Sequence, residues 1–182
     1  CNLALLLVQM GKRVLLVDGN MRRPALHETF DLSEAPGLSE FLRNRQPITD
    51  VVRQSGIDNL SLIPCGSPVR EPTDLIGRAS DRWQDMIELS AEFDYVLMDS
   101  APVRFTDPAL MAGALDAPVL LVVRAGRPRA ETVTRSVRSL REANARVAGA
   151  LLNDFELPEV AASAFYRRYA DYNDLFYRYG PH

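Results

Sequence analysis

The stretch VLLVDGNMRRPALHETF, residues 14–30, decides the fold class of this chain. Its first four residues are all apolar and do not alternate with polar residues, which is typical of a strand buried on both faces of a parallel sheet. Asp18 and Gly19 follow directly, so the strand ends in a carboxylate. In open parallel sheets, ligands bind in the crevice beyond the carboxyl ends of the strands. Asp18 is therefore a candidate functional residue.

Four further apolar runs predict the remaining strands, at residues 60–63, 95–98, 118–123 and 147–152. Helical patterns lie between them, at residues 3–10, 38–43, 48–54, 81–92, 108–114 and 130–143. Residues 64–72 are rich in proline and glycine and are expected to form a surface loop. This alternation predicts an α/β domain with a doubly wound, mostly parallel sheet over residues 1–154, followed by a tail at 155–182.

A second strand-end carboxylate, Asp99, follows the run at 95–98. Two carboxylates at one sheet edge can hold Mg²⁺, which prefers oxygen ligands and keeps part of its water shell. One of them can also accept a proton from an attacking hydroxyl. The simpler alternative is that each Asp ends its strand or caps the following helix, as Thr106 or Asp107 is expected to cap the helix at 108–114. The residues alone leave both interpretations open.

Composition excludes several other classes of function. The 182 residues have a net charge of -3, so no overall basic charge favours nucleic acid. Cys1 and Cys65 form neither a disulfide framework nor a paired metal motif, which fits a reducing compartment. No apolar run reaches the roughly 20 residues of a membrane span, so we expect the chain itself to be soluble.

Six segments, in order, resemble the bacterial tyrosine kinases (BY-kinases) of capsule and exopolysaccharide synthesis. Residues 14–30 resemble their Walker A′ motif, and FDYVLMDSAPVRFTDPAL at 93–110 resembles their Walker B strand. The others are GLSEFL at 37–42, PCGSPVREPTDLI at 64–76, APVLLVVRAGRPRAETV at 117–133 and VAGALLND at 147–154. The resemblance implies a P-loop NTPase-like fold of the deviant Walker A (MinD-like) subgroup, with ATP and Mg²⁺ as cofactors.

The same resemblance implies a role for each matched residue. Asp18 and Asp99 are expected to be catalytic and to hold Mg²⁺ through its waters. Arg22 is expected to be a third catalytic residue, because its planar fork pairs with phosphate or carboxylate. Asn153, at the end of the last strand, is expected to contact the adenine ring. Asn20 is a cofactor-binding candidate in the position where many members have a second aspartate, and it cannot take up a proton as aspartate does.

The family's Gly-rich phosphate-binding loop and first central strand are expected just upstream of Cys1. That loop supplies backbone N–H groups, a lysine and a hydroxyl to the phosphates and Mg²⁺. Lys12 lies in the predicted turn before the first apolar run and is not expected to replace the loop lysine. We therefore expect residues 1–182 to be an N-terminally truncated piece that binds ATP weakly and is inactive without the loop.

The tail contains five of the six tyrosines, which are Tyr166, Tyr169, Tyr172, Tyr177 and Tyr179. The resemblance implies that they form an autophosphorylation cluster. Each phosphate adds about -1.5 to -2 charge, so we hypothesise that phosphorylation in trans drives a ring of subunits apart. The alternative from the residues is an amphipathic terminal helix that docks through its aromatic side chains.

The predicted function is an ATP-dependent protein tyrosine autokinase that regulates the chain length and export of capsule or exopolysaccharide. The expected partners are a membrane polysaccharide co-polymerase (fused or separate), further copies of the chain in a ring, and a tyrosine phosphatase. The expected location is the cytoplasmic face of the bacterial inner membrane. Two alternatives remain: a nucleotide-switch ATPase of the MinD/ParA type, and a catalytically degenerate scaffold of the export machinery.

Overall fold

The computed structural model describes residues 1–154, and its strands and helices follow the predicted alternation. The helices are α1 (Asn2–Gln9), α2 (Leu26–Thr29), α3 (Leu38–Leu42), α4 (Ile48–Val51), α5 (Pro72–Arg78), α6 (Ser80–Ser90), α7 (Asp107–Ala114) and α8 (Ala130–Glu142). The strands are β1 (Val14–Gly19), β2 (Arg53–Gln54), β3 (Leu60–Ile63), β4 (Tyr95–Ser100), β5 (Val119–Arg124) and β6 (Val147–Asn153). The predicted strand at residues 60–63 is confirmed at both ends.

The described strands form two sheets. A four-stranded sheet has the order β2-β3-β1-β4, and a second sheet pairs β5 with β6. β1 is parallel to both β3 and β4, and β5 is parallel to β6, whereas β2 is antiparallel to β3. The predicted mostly parallel α/β fold is therefore confirmed.

Strand β1 lies at the centre of the larger sheet, and all six of its residues are buried. Leu15 and Val17 pack in one core with residues of α3, α6 and α7. Val14 and Leu16 point to the opposite face and pack in a second core with residues of α1 and α2. Each large apolar side chain buried in this way contributes roughly 1.5–3 kcal/mol. Helices on both faces of β1 explain why its sequence is continuously apolar.

The smaller sheet does not match the expectation that every strand is buried on both faces. Leu140 of α8 packs with Val119 and Val147, which covers one face. On the other face Leu120 and Val122 are 48% and 59% exposed, because no element of residues 1–154 packs there. Apolarity alone therefore predicted the strands of this sheet but not their burial.

The predicted helix at residues 48–54 is too long. It ends at Val51, and Val52 is already extended, with ψ of 131°. Arg53 and Gln54 then pair with Leu62 and Ser61 as a short edge strand. The backbone groups of β3 need a partner on that side, and this tertiary pairing overrides the local helical pattern.

The loop after β3 is fastened to α3 by buried polar contacts. The Glu40 carboxylate accepts hydrogen bonds from the N–H groups of Gly37 (2.8 Å) and Ser67 (3.2 Å). Cys65 in this loop is buried, and burial together with the nearby Asp18, Glu34 and Glu40 charges raises the pKa of its thiol to about 12. Cys65 is therefore an unreactive structural thiol.

Helix α5 was missed by the sequence interpretation. Pro72 was placed at the end of the surface loop, but it is the first residue of this helix. Proline suits that position, because its fixed φ is helical and its missing N–H would have no helical partner. None of the helices within residues 1–154 is long and apolar enough to cross a membrane.

Candidate active site

The two strand-end aspartates lie side by side, as predicted. Asp18 and Asp99 are register partners across the parallel pair β1–β4, and Gly19 pairs with Ser100. A Cβ atom added to Gly19 would lie 2.7 Å from the backbone oxygen of Asp99, so only glycine allows this close approach. The carboxyl ends of two central strands thus place both side chains at one edge of the sheet.

Asp18 is fully buried, and its carboxylate holds the following loop. Oδ1 accepts a hydrogen bond from the N–H of Asn20 (3.2 Å). Oδ2 accepts from the N–H groups of Ala25 (3.0 Å) and Leu26 (3.1 Å) at the start of α2. Asp18 therefore makes contacts of the capping kind at the start of α2, and its predicted catalytic and metal-binding role stays a prediction. A carboxylate offers about four acceptor positions, so roughly one is left for another donor.

Asn20 makes hydrogen bonds within the same loop. Its side-chain Oδ1 accepts a hydrogen bond from the N–H of Arg23 at 3.3 Å, which closes a local turn. Its backbone N–H is already bound by Asp18. Its predicted role toward the cofactor stays a prediction.

Asp99 is the accessible member of the carboxylate pair, because its side chain is exposed whereas Asp18 is buried. Asp99 is exposed as a residue, but surrounding atoms partly shield its carboxyl group from solvent, and this shielding together with the negative charge of Asp18 raises the pKa of Asp99. Helix α1 leads through a short turn into β1 and packs on it through Ala4, so the start of α1 lies toward the strand end that carries these carboxylates. Helix α1 begins at Asn2, and the N–H groups at the start of a helix favour anions such as phosphate.

Arg22 binds a carboxylate within the protein. Its Nε donates to Oδ2 of Asp107 at 2.7 Å and its Nη2 donates to Oδ1 at 3.2 Å. The guanidinium also lies over the ring of Phe105, 4.0 Å from the centroid. Of the two partners that its geometry suits, phosphate and carboxylate, the structure shows the carboxylate.

Asp107 and Thr73 belong to this site and were not found from the sequence. Thr106 or Asp107 was expected to cap the helix at 108–114, and Thr106 does occupy the N-cap position of α7. The Thr106 side chain makes no capping hydrogen bond, and Asp107 is not the cap, since its carboxylate accepts hydrogen bonds from Arg22 and Thr73. An aspartate at a helix start resembles a cap in sequence, and a partner 85 residues away leaves no local signal.

The remaining predicted site residues lie elsewhere. Asn153 ends β6 in the smaller sheet, where it is exposed and its backbone oxygen accepts the N–H of Ala125 at 2.8 Å. Within residues 1–154 no hydrogen bond joins it to Asp18, Asp99 or Arg22. The five tail tyrosines, Tyr166, Tyr169, Tyr172, Tyr177 and Tyr179, lie outside the described residues.

The donor set suits Mg²⁺ better than a metal that needs a full protein cage. In the described part of the chain, no group of three or more His, Cys, Asp and Glu side chains converges on one point. Asp99 and the remaining acceptor position of Asp18 offer only carboxylate oxygens. Mg²⁺ characteristically uses one or two carboxylates together with waters and substrate phosphates, so these residues fit it.

A model of the AAA domain family (AAA_31) matches residues 1–125, more than half of the chain. The chain belongs to the AAA domain family. Proteins named as bacterial tyrosine kinases are among its relatives and structural matches, as the sequence resemblance implied. The match includes both strand-end aspartates and the Arg22–Asp107 pair.

The relatives include proteins that are named as tyrosine kinases. Tyrosine-protein kinase Ptk of Acinetobacter johnsonii is 30% identical over 156 residues, which cover 85% of this chain but 21% of Ptk. Tyrosine-protein kinase YwqD of Bacillus subtilis (strain 168) is 26% identical over 167 residues, which cover 91% of this chain and 69% of YwqD. The chain thus spans about a fifth of the length of Ptk and about two thirds of YwqD.

Solved structures agree with this family. The kinase domain of Escherichia coli tyrosine kinase ETK superimposes with a TM-score of 0.77 at 30% identity, covering 83% of this chain and 59% of that one. The cell division ATPase MinD of Pyrococcus furiosus superimposes with a TM-score of 0.67 at 21% identity, covering 91% of this chain and 71% of MinD. At that identity MinD shows the fold alone, which is the P-loop NTPase-like fold expected.

Proposed function

We propose that this AAA-family chain is the nucleotide-binding core of an ATP-dependent protein tyrosine autokinase. The observation that carries the proposal is the placement of Asp18 and Asp99 side by side where two central parallel strands end. Such a pair can organise a metal–nucleotide site in the crevice of the sheet. Similarity to ETK, Ptk and YwqD supports tyrosine as the acceptor.

In this proposal Asp99 holds the Mg²⁺ water shell, and the remaining acceptor position of Asp18 contributes to it. When bound, Mg²⁺ neutralises charge on the phosphates of ATP. Asp18 also keeps the loop at residues 20–26 in place through its three backbone hydrogen bonds. Asn153 remains the proposed adenine contact, since its amide can both donate to and accept from a base edge.

The phosphates are proposed to lie at the start of α1, near Asp99. The N–H groups at a helix start favour negative charge. We propose that residues upstream of Cys1 complete the site with the family's Gly-rich loop. Lys12 is not a substitute, because it follows α1 in the turn before β1 and thus lies at the other end of that helix.

The proposed acceptors are the tail tyrosines of a neighbouring copy. The tyrosine oxygen forms the new bond to the terminal phosphorus, the bond from that phosphorus to ADP breaks, and the hydroxyl proton passes to the exposed Asp99. Each added phosphate is repelled by the two aspartates, so accumulated phosphate drives the tail out of the site. We propose that this cycle regulates polysaccharide chain length and export at the inner membrane, with a co-polymerase and a tyrosine phosphatase as partners.

Intact mass tests this function. The chain, extended upstream through its native preceding residues, is incubated with Mg-ATP. We expect stepwise gains of about 80 Da per phosphate, and their loss when the five tail tyrosines are replaced by Phe. ATP turnover without added mass would instead favour the nucleotide-switch ATPase. Neither turnover nor added mass would favour the degenerate scaffold.

A further inference from the structure

Three elements far apart in sequence meet at one buried carboxylate. Asp107 is the first residue of α7 and is 1% exposed. It accepts hydrogen bonds from Arg22, in the loop after β1, at 2.7 and 3.2 Å. It also accepts one from Oγ1 of Thr73, in the first turn of α5, at 2.6 Å. Nη2 of Arg22 closes the triangle by donating to Oγ1 of Thr73 at 3.0 Å.

This cluster is stronger than an ordinary surface ion pair. The Arg22–Asp107 contact is bidentate, and geometry of that kind holds two groups in a fixed orientation. Phe105 lies under the Arg22 guanidinium and restricts it further. Burial alone would raise the pKa of Asp107. The hydrogen bonds from Arg22 and Thr73 and the positive charge of Arg22 outweigh that effect and lower the pKa, so the cluster stabilises the ionised carboxylate.

The cluster lies between the two segments that leave the candidate active site. Arg22 belongs to the loop whose N–H groups at Asn20 and Ala25 are bound by Asp18. Asp107 ends the segment that begins after Asp99 and includes Phe105. A contact between Arg22 and Asp107 therefore fastens the surroundings of one strand-end carboxylate to those of the other.

We propose that Arg22, Thr73 and Asp107 form a clamp that positions the loop around Asp18 against the segment after Asp99. They are positioning residues, since each acts through that loop. Asp107 and Thr73 occupy the Nε and Nη2 donors of Arg22, so these two donors hold the clamp together. The effect of the clamp on catalysis rests on the proposed kinase function, whereas its effect on the loop does not.

Residue-resolved hydrogen exchange, measured by NMR on the upstream-extended chain, tests the clamp. Thr73→Val removes the hydroxyl at nearly constant shape, and Arg22→Lys removes the bidentate contact. In both variants we expect exchange at the N–H groups of Ala25 and Leu26 to rise about tenfold or more, a factor of ten being 1.4 kcal/mol. Exchange within β3 (Leu60–Ile63) is expected to stay unchanged.

Two control variants distinguish loss of the clamp from a nonspecific effect of substitution at or near Thr73. Thr73→Ser keeps the hydroxyl and is expected to restore protection of the loop. Arg78→Ala breaks an exposed ion pair with Asp74 on the same helix and is expected to leave the loop unchanged. On the kinase assay, Thr73→Val is expected to lower kcat about tenfold with little change in KM for ATP, as loss of positioning alone predicts.

Two results would overturn the proposal. One is unchanged exchange at Ala25 and Leu26 in Thr73→Val. The other is an equal rise across β3, which would mean that the clamp only adds general stability. An extended chain without kinase activity would refute the proposed function instead, and the exchange data would still decide whether the clamp exists.

Discussion

Replacement of Asp18 by Ala is expected to lower the free energy of unfolding by about 3–5 kcal/mol, because three backbone N–H groups lose their acceptor in a buried site. The N–H groups of Asn20, Ala25 and Leu26 all bind this carboxylate, and Asp18 is fully buried. Leu26 packs in the core beneath α1, so the loss extends from the loop into that core. Urea denaturation of the upstream-extended chain measures the change.

Asp18→Asn is the matched variant for this prediction. Its side chain keeps one oxygen acceptor but turns an NH₂ group toward N–H donors, so we expect an intermediate loss of stability. A loss below about 1 kcal/mol for Asp18→Ala would contradict the account, because typical exposed aspartates cost no more than that. Asp18 would then not be the anchor of the loop.

Replacement of Asp99 by Asn is expected to impair catalysis without destabilising the fold, whereas replacement of Asp18 mainly destabilises it. Phosphoryl transfer should fall on the order of a thousandfold, because the accessible carboxylate of the proposed Mg²⁺ site is lost. The fold should remain as stable or become more stable at neutral pH, because burial and Asp18 both disfavour the ionised form of Asp99. Urea denaturation and the intact-mass assay, applied to one preparation, measure both effects.

The stability difference between Asp99→Asn and the parent chain should depend on pH, and the direction of the pKa shift of Asp99 determines how. Folding raises the pKa of Asp99 above its ordinary value of 3.8. The folded state therefore favours the protonated carboxyl, and this contribution to stability is fully present below pH 3.8. It is lost as the pH rises through the raised pKa. The stability advantage of Asp99→Asn over the parent chain should therefore appear at neutral pH and vanish toward pH 3. A large loss of stability in this variant would show that Asp99 is structural.

Much of the fold could be predicted from local patterns. Continuous apolar runs identified the parallel strands, and the residue after each run identified Asp18 and Asp99 as neighbours. These predictions worked because a buried parallel strand leaves a signal in its own sequence and its end has a fixed place in the sheet. Gly19 allows the two strands to approach closely at that end of the sheet.

The parts that failed depend on distant partners. Asp107 appeared to be a helix cap, and Thr73 lay in a segment without a predicted element, yet both meet Arg22 in space. Likewise, residues 53–54 became a strand because β3 offered an unpaired edge. Which role Asp18 plays could not be decided from sequence, since capping and metal binding require the same residue at the same place.

The most direct test of the account mixes, with Mg-ATP, two forms of the upstream-extended chain that cannot phosphorylate their own tails. One form has Asp99→Asn and an intact tail, and the other has an intact site and Phe at all five tail tyrosines. Their different masses identify which chain gains phosphate. The account predicts gains of about 80 Da per phosphate on the Asp99→Asn chain alone. If neither chain gains mass although both bind Mg-ATP, the proposal of a tyrosine kinase acting in trans through the Asp18–Asp99 site is contradicted.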